Sequence, residues 1–124
     1  MKKILIVEDD IFLGNAYRVK LSKEGFDATV LTDGEEALTF LESTIPDLIL
    51  LDLMMPIKDG FSTLEDIRKN PDWKEIPIII TSNLGQTEDI SRGMSLGATD
   101  YIVKSNIPLS ELIIKINTLI SKKK

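Results

Sequence analysis

The stretch LILLDLMMPIKDG, residues 48–60, decides how this chain is read. Leu48-Ile49-Leu50-Leu51 form a continuous apolar run of strand length, with no polar alternation, as expected of a strand covered on both faces. The run ends on Asp52, then continues through Leu53-Met54-Met55 to Pro56. A carboxylate at the edge of an apolar core costs several kcal/mol unless it is paired, hydrogen-bonded or bound to metal. Asp52 therefore requires partners, and the rest of the chain must supply them.

Four further apolar runs surround this one: Lys3–Val7, Ala28–Leu31, Ile78–Ile80 and Tyr101–Val103. Segments of helical spacing lie between them, marked by Leu13, Ala16, Tyr17 and Leu21, then Ala37, Leu38 and Leu41, then Phe61, Leu64 and Ile67. Leu112, Ile113, Ile116, Leu119 and Ile120 mark the last, with Pro108 expected in its first turn. The segment from about Gln86 to Ser95 carries only Ile90, Met94 and a helix-weakening Gly93, and should be the least stable helix. Alternating strands and helices imply an α/β fold: a five-stranded parallel sheet with helices on both faces and right-handed crossovers. The flavodoxin-like order 2-1-3-4-5 is the expectation, with the site at the carboxyl ends of strands 1 and 3.

The bulk properties narrow the function. The 124 residues fit one domain, spanning 1–124, and a net charge of −5 argues against a nucleic-acid-binding surface. The terminal Lys122-Lys123-Lys124 run reads as a solvated helix end. Without cysteine or histidine, disulfides, thiolate chemistry, Ser-His triads and His-metal sites are all excluded. No segment approaches the roughly 20 apolar residues of a membrane span. The basic-then-apolar start is cut short by Glu8-Asp9-Asp10, so it is not a signal peptide, and a cytoplasmic chain is expected.

By the fold rule, Glu8, Asp9 and Asp10 at the end of strand 1 meet Asp52. Asp10 suits the cap of the first helix. The remaining acids repel one another, so one pKa must rise or a cation must bind. Oxygen-only ligands favour a hard cation, and Mg²⁺ over Ca²⁺. Strand 4 brings Ser82 and strand 5 brings Lys104 to the same edge. That set suits a phosphoryl group whose oxygens are neutralised by Mg²⁺ and Lys104 and hydrogen-bonded by Ser82. No glycine-rich phosphate loop is present, which leaves Asp52 as the nucleophile that forms an acyl phosphate.

The segments ILIVEDD, DLILLDLMMPIKDG, IPIIITS and GATDYIVK together resemble the receiver domain of bacterial two-component response regulators. The resemblance implies Asp52 as phosphoacceptor, Glu8 with Asp9 as the acidic pair, Ser82 as switch hydroxyl, Tyr101 as switch aromatic, and Lys104 as the phosphoryl-pairing lysine. Mg²⁺ would be held by Asp9, Asp52 and the backbone carbonyl of Met54, with Glu8 acting through water. It further implies a phosphorelay switch rather than a turnover enzyme. Its phosphoryl source would be a sensor histidine kinase or histidine phosphotransfer protein, and its reader a downstream protein or separate effector domain. The face built from the fourth helix, fifth strand and fifth helix would carry the signal, or a homodimer contact, with no direct binding to nucleic acid or membrane.

Two departures from the family pattern stand out. Ser105 follows Lys104 where relatives commonly have proline, so a trans peptide is expected, the cis form costing ~3–4 kcal/mol. Asn83 follows Ser82 where many relatives have a smaller residue. Met54 and Leu84, two positions beyond Asp52 and Ser82, are expected to shield an acyl phosphate from water. A metal-dependent phosphatase would need a second aspartate where Met54 stands. A receiver-like protein-interaction module that works without phosphate is the alternative, and it would be expected to have lost a site residue.

Overall fold

A computed structural model describes residues 1–122. Its elements run β1 (Lys3–Val7), α1 (Ile11–Lys23), β2 (Asp27–Leu31), α2 (Gly34–Leu41), β3 (Leu48–Asp52), α3 (Gly60–Lys69), β4 (Ile78–Ser82), α4 (Thr87–Ser95), β5 (Asp100–Val103) and α5 (Leu109–Lys122). All strand pairs are parallel and the sheet order is β2-β1-β3-β4-β5, as the alternating pattern implied. Of the terminal lysine run, Lys123 and Lys124 lie outside the described residues.

Every residue of β3 is buried. Its side chains alternate between two cores, which explains the unbroken apolar run. Ile49 and Leu51 face a cluster with Leu64 and Ile67 of α3 and Leu41 of α2. Leu48 and Leu50 face Leu21 of α1 and Ile116 of α5. Each such side chain taken out of water stabilises the fold by about 1.5–3 kcal/mol.

The helices differ from the sequence reading in three details. On α1, Ala16 is exposed and Gly14 is buried instead, close against Val30 and Glu8. Pro108 stands just before α5 rather than within its first turn, and its carbonyl accepts from Glu111 and Leu112. On α4 only Gly93 is buried, while Met94 is exposed. A Cβ at Gly93 would press to 2.6 Å from Ile80 Cδ1 and 3.1 Å from the Tyr101 ring, so the glycine lets α4 approach the sheet. The N-cap of α4, Gln86, makes no side-chain capping bond. A helix with one buried residue and no cap is weakly held, as expected.

Candidate functional site

Sheet register brings the site together. Val7 pairs with Leu51, Asp52 with Thr81, and Ser82 with Val103, so Glu8, Asp52, Ser82 and Lys104 reach one edge. The Glu8 N–H donates to Leu31 O at 2.9 Å and the Lys104 N–H to Ser82 O at 2.8 Å, which extends the sheet pairing one residue into each loop. Asp10 accepts from Leu13 N at 3.1 Å and caps α1, as expected. Gly60 closes the back of the site. Its N–H donates to Leu53 O at 3.0 Å, and a Cβ there would collide with the Asp52 carbonyl.

Glu8, Asp9 and Asp52 each place a carboxylate oxygen within 4.8 Å of the others. Glu8 and Asp52 are 2% and 4% exposed, whereas Asp9 is open to solvent. Lys104 Nζ donates to Glu8 Oε1 at 2.6 Å and lies 3.3 Å from Asp52 Oδ1. Burial, then the charge of Glu8, pushes the Asp52 carboxyl up to about 7, against the pull of Lys104. Burial works against the Lys104 charge, but Glu8 and Asp52 outweigh it and hold the amine above its ordinary range. The donors are all oxygen, and the acids stand close enough to repel, with one of them open to solvent. This set fits a hard divalent cation that keeps some of its own water. Among the described residues, no hydrogen bond claims the Met54 carbonyl.

Ser82 is fully buried, and its Oγ accepts from the Leu84 N–H at 3.0 Å. The Tyr101 hydroxyl donates to the Leu84 carbonyl at 2.6 Å, and its ring is half-buried against Gly93. One residue of the β4–α4 loop, Leu84, thus links Ser82 to Tyr101 through its N–H and its carbonyl. Met54 is exposed and Leu84 half-buried. With Asp9 and Arg92 they line an open cleft, in which Arg92 stacks over Phe61 at 4.1 Å. There is no cis peptide among the described residues, so the Lys104–Ser105 bond is trans, as expected.

Sequence reasoning missed two features of the site's surroundings. Ile57, in the loop after β3, holds φ 68 while 81% exposed, a strained state for a β-branched residue. Arg68 of α3 reaches across to donate to the carbonyls of Gly97, Lys74 and Ile76 at 2.8–2.9 Å. Neither carries a local signal, because each depends on the path of the folded backbone.

Comparison with known proteins agrees with this geometry. The profile of the response regulator receiver domain matches residues 4–117. The chain is 40% identical, over 98% of its length, to a probable transcriptional regulator, ycf27, of Cyanophora paradoxa, and covers 49% of that protein. It spans about half the length of such curated relatives. In structure it is similar to the receiver domain of Francisella response regulator 1452, with a TM-score of 0.92, 36% identity and 100% of both chains covered. It is also similar to the Mn²⁺-bound form of response regulator Rcp1, with a TM-score of 0.82, 32% identity, and 98% and 93% of the two chains covered. No helix among the described residues is long and apolar enough to cross a membrane.

Proposed function

The chain belongs to the response regulator receiver domain family, whose members are signalling switches rather than turnover enzymes, and on that footing we propose that it is switched by phosphorylation of Asp52. The observation that carries the reading is the pairing of Lys104 with Glu8 and Asp52 beside the open carboxylate of Asp9. The receiver unit spans residues 1–124 and works in the cytoplasm.

A histidine kinase or histidine phosphotransfer protein presents phosphohistidine at the cleft. An Asp52 oxygen attacks phosphorus, the P–N bond breaks, and the imidazole leaves with the bond's electron pair. Glu8, Asp9, Asp52 and the Met54 carbonyl would hold Mg²⁺, with Glu8 acting through water. When bound, the ion neutralises charge on the phosphoryl oxygens. The acid-only donor set supports that assignment, as does the Mn²⁺ bound by the relative Rcp1.

Lys104 then exchanges Glu8 for a phosphoryl oxygen, and the Ser82 hydroxyl turns to donate to another. The Leu84 N–H is released from Ser82, and Tyr101, tied to the carbonyl of the same residue, moves with it. The weakly anchored α4 lets the α4–β5–α5 face repack, and that face is read by a downstream protein, an effector domain or a second copy. The unit itself makes no contact with DNA. Any effect on transcription, as the relatives' names suggest for them, would pass through another domain. A phosphate-affinity gel with acetyl phosphate and Mg²⁺ tests the proposal: wild type should shift and Asp52→Ala should not.

A further inference from the structure

Tyr17 of α1 and Thr81 of β4 are 7% and 2% exposed, yet neither hydroxyl has a hydrogen-bond partner among the described residues. A buried hydroxyl left unpaired destabilises the fold. Neither is sealed away, because every unpartnered polar side-chain atom keeps some accessible surface. Both residues line one cavity, of ≈ 180 Å³, between α1, α5 and the β5–α5 loop. Leu13, Ile102 and Leu112 supply apolar wall, and exposed Ala16 stands at the rim, so entry needs no unfolding.

Lys104 also lines the cavity, but its amine is already held by Glu8 and Asp52. A cationic ligand would meet that lysine, and an anionic one would find the lysine's charge already balanced by two carboxylates. A neutral ligand fits. An apolar cavity of about 150 Å³ accepts a benzene ring, so this volume suits one six-membered ring with a small polar substituent.

We propose that this cavity is a binding site for a small neutral monocyclic molecule of the phenol class, its ring against Leu13, Ile102 and Leu112 and its hydroxyl toward Tyr17 and Thr81. The site is independent of whether Asp52 accepts phosphate.

The test is an amide-resolved NMR titration of the unphosphorylated chain with phenol and, separately, toluene. Phenol should give saturable shifts at Tyr17, Thr81 and Leu112 and bind about fivefold more tightly than toluene, roughly 1 kcal/mol of hydrogen bonding. Thr81→Val and Tyr17→Phe should each reduce that preference, leaving toluene affinity within about twofold. Thr81→Val alone suffices if the tyrosine variant does not fold. Leu112→Phe, which fills the cavity, should abolish both titrations. No saturable shift with phenol, equal affinity for the two probes, a preference unchanged in Thr81→Val, or binding that survives Leu112→Phe overturns the proposal.

Discussion

Lys104 and Glu8, 96 residues apart in the chain, meet at 2.6 Å, closer than Lys104 stands to Asp52 at 3.3 Å. The cation thus rests on Glu8 rather than on Asp52, the proposed phosphoacceptor, which makes it a movable partner. Lys104→Ala should still accept phosphate but lose the response of Tyr101 to beryllofluoride, followed by its ring NMR signals. An unchanged Tyr101 response in that variant would remove Lys104 from the coupling. The variant should also lose about 3 kcal/mol of stability, because Glu8 would keep a buried charge without its partner.

The raised Asp52 pKa has a defined sign in stability. Between its ordinary value of 3.8 and about 7, the folded chain holds a proton that the unfolded chain has released. Stability should therefore fall as pH rises through that interval, when divalent cations are chelated. Moving one carboxyl that far has a ceiling of ~4 kcal/mol. Asp52→Asn should flatten the profile and be more stable at pH ~8 by on the order of 2 kcal/mol. Urea unfolding at a series of pH values measures this, and parallel profiles for the two proteins would contradict it.

Arg68 ties α3 to the α3–β4 loop and the α4–β5 loop. Its guanidinium bonds three backbone carbonyls, and burial, opposed by Glu75, lowers its pKa. Arg68→Met keeps the stem but removes every donor, and should cost roughly 2–4 kcal/mol. The urea midpoint should drop with an unchanged slope. A loss below about 0.5 kcal/mol, typical of a surface substitution, would mean the clamp contributes little.

Met54 and Leu84 line an open cleft with Asp9, and neither side chain can orient or deprotonate water. The acyl phosphate should therefore decay slowly. Met54→Asn combined with Leu84→Glu should speed autodephosphorylation at least several-fold, each tenfold being about 1.4 kcal/mol of barrier. A phosphoryl lifetime unchanged in the double variant would show that these two side chains do not set it.

The sheet order and the meeting of Glu8, Asp9, Asp52, Ser82 and Lys104 were legible because they follow from strand composition and one topological rule. Strand β1 matched its apolar run, whereas β4 extends past Ile80 through Thr81 and Ser82. Polar side chains ended the apolar signal there but not the hydrogen bonding, which the backbone makes whatever side chain it carries. Contacts that depend on distant backbone left no periodic trace. Gly93 read as a helix weakness and is also the residue through which α4 reaches the sheet. Arg68 gave no signal in the sequence and is a clamp to Gly97, 29 residues away. Tyr17 read as an apolar helix marker, yet it also lines a cavity that only the packed fold creates.

The central claim is that Asp52 carries the phosphoryl group, and chemical trapping tests it most directly. Borohydride reduces an acyl phosphate to the alcohol, so an aspartyl phosphate becomes homoserine at the modified position. After treatment with acetyl phosphate and Mg²⁺, then borohydride, peptide mass mapping should find homoserine at position 52 in the wild type. No peptide of Asp9→Ala should be converted. Homoserine at Asp9 or Asp10, or conversion at position 52 that is equally strong without Mg²⁺, would contradict the account.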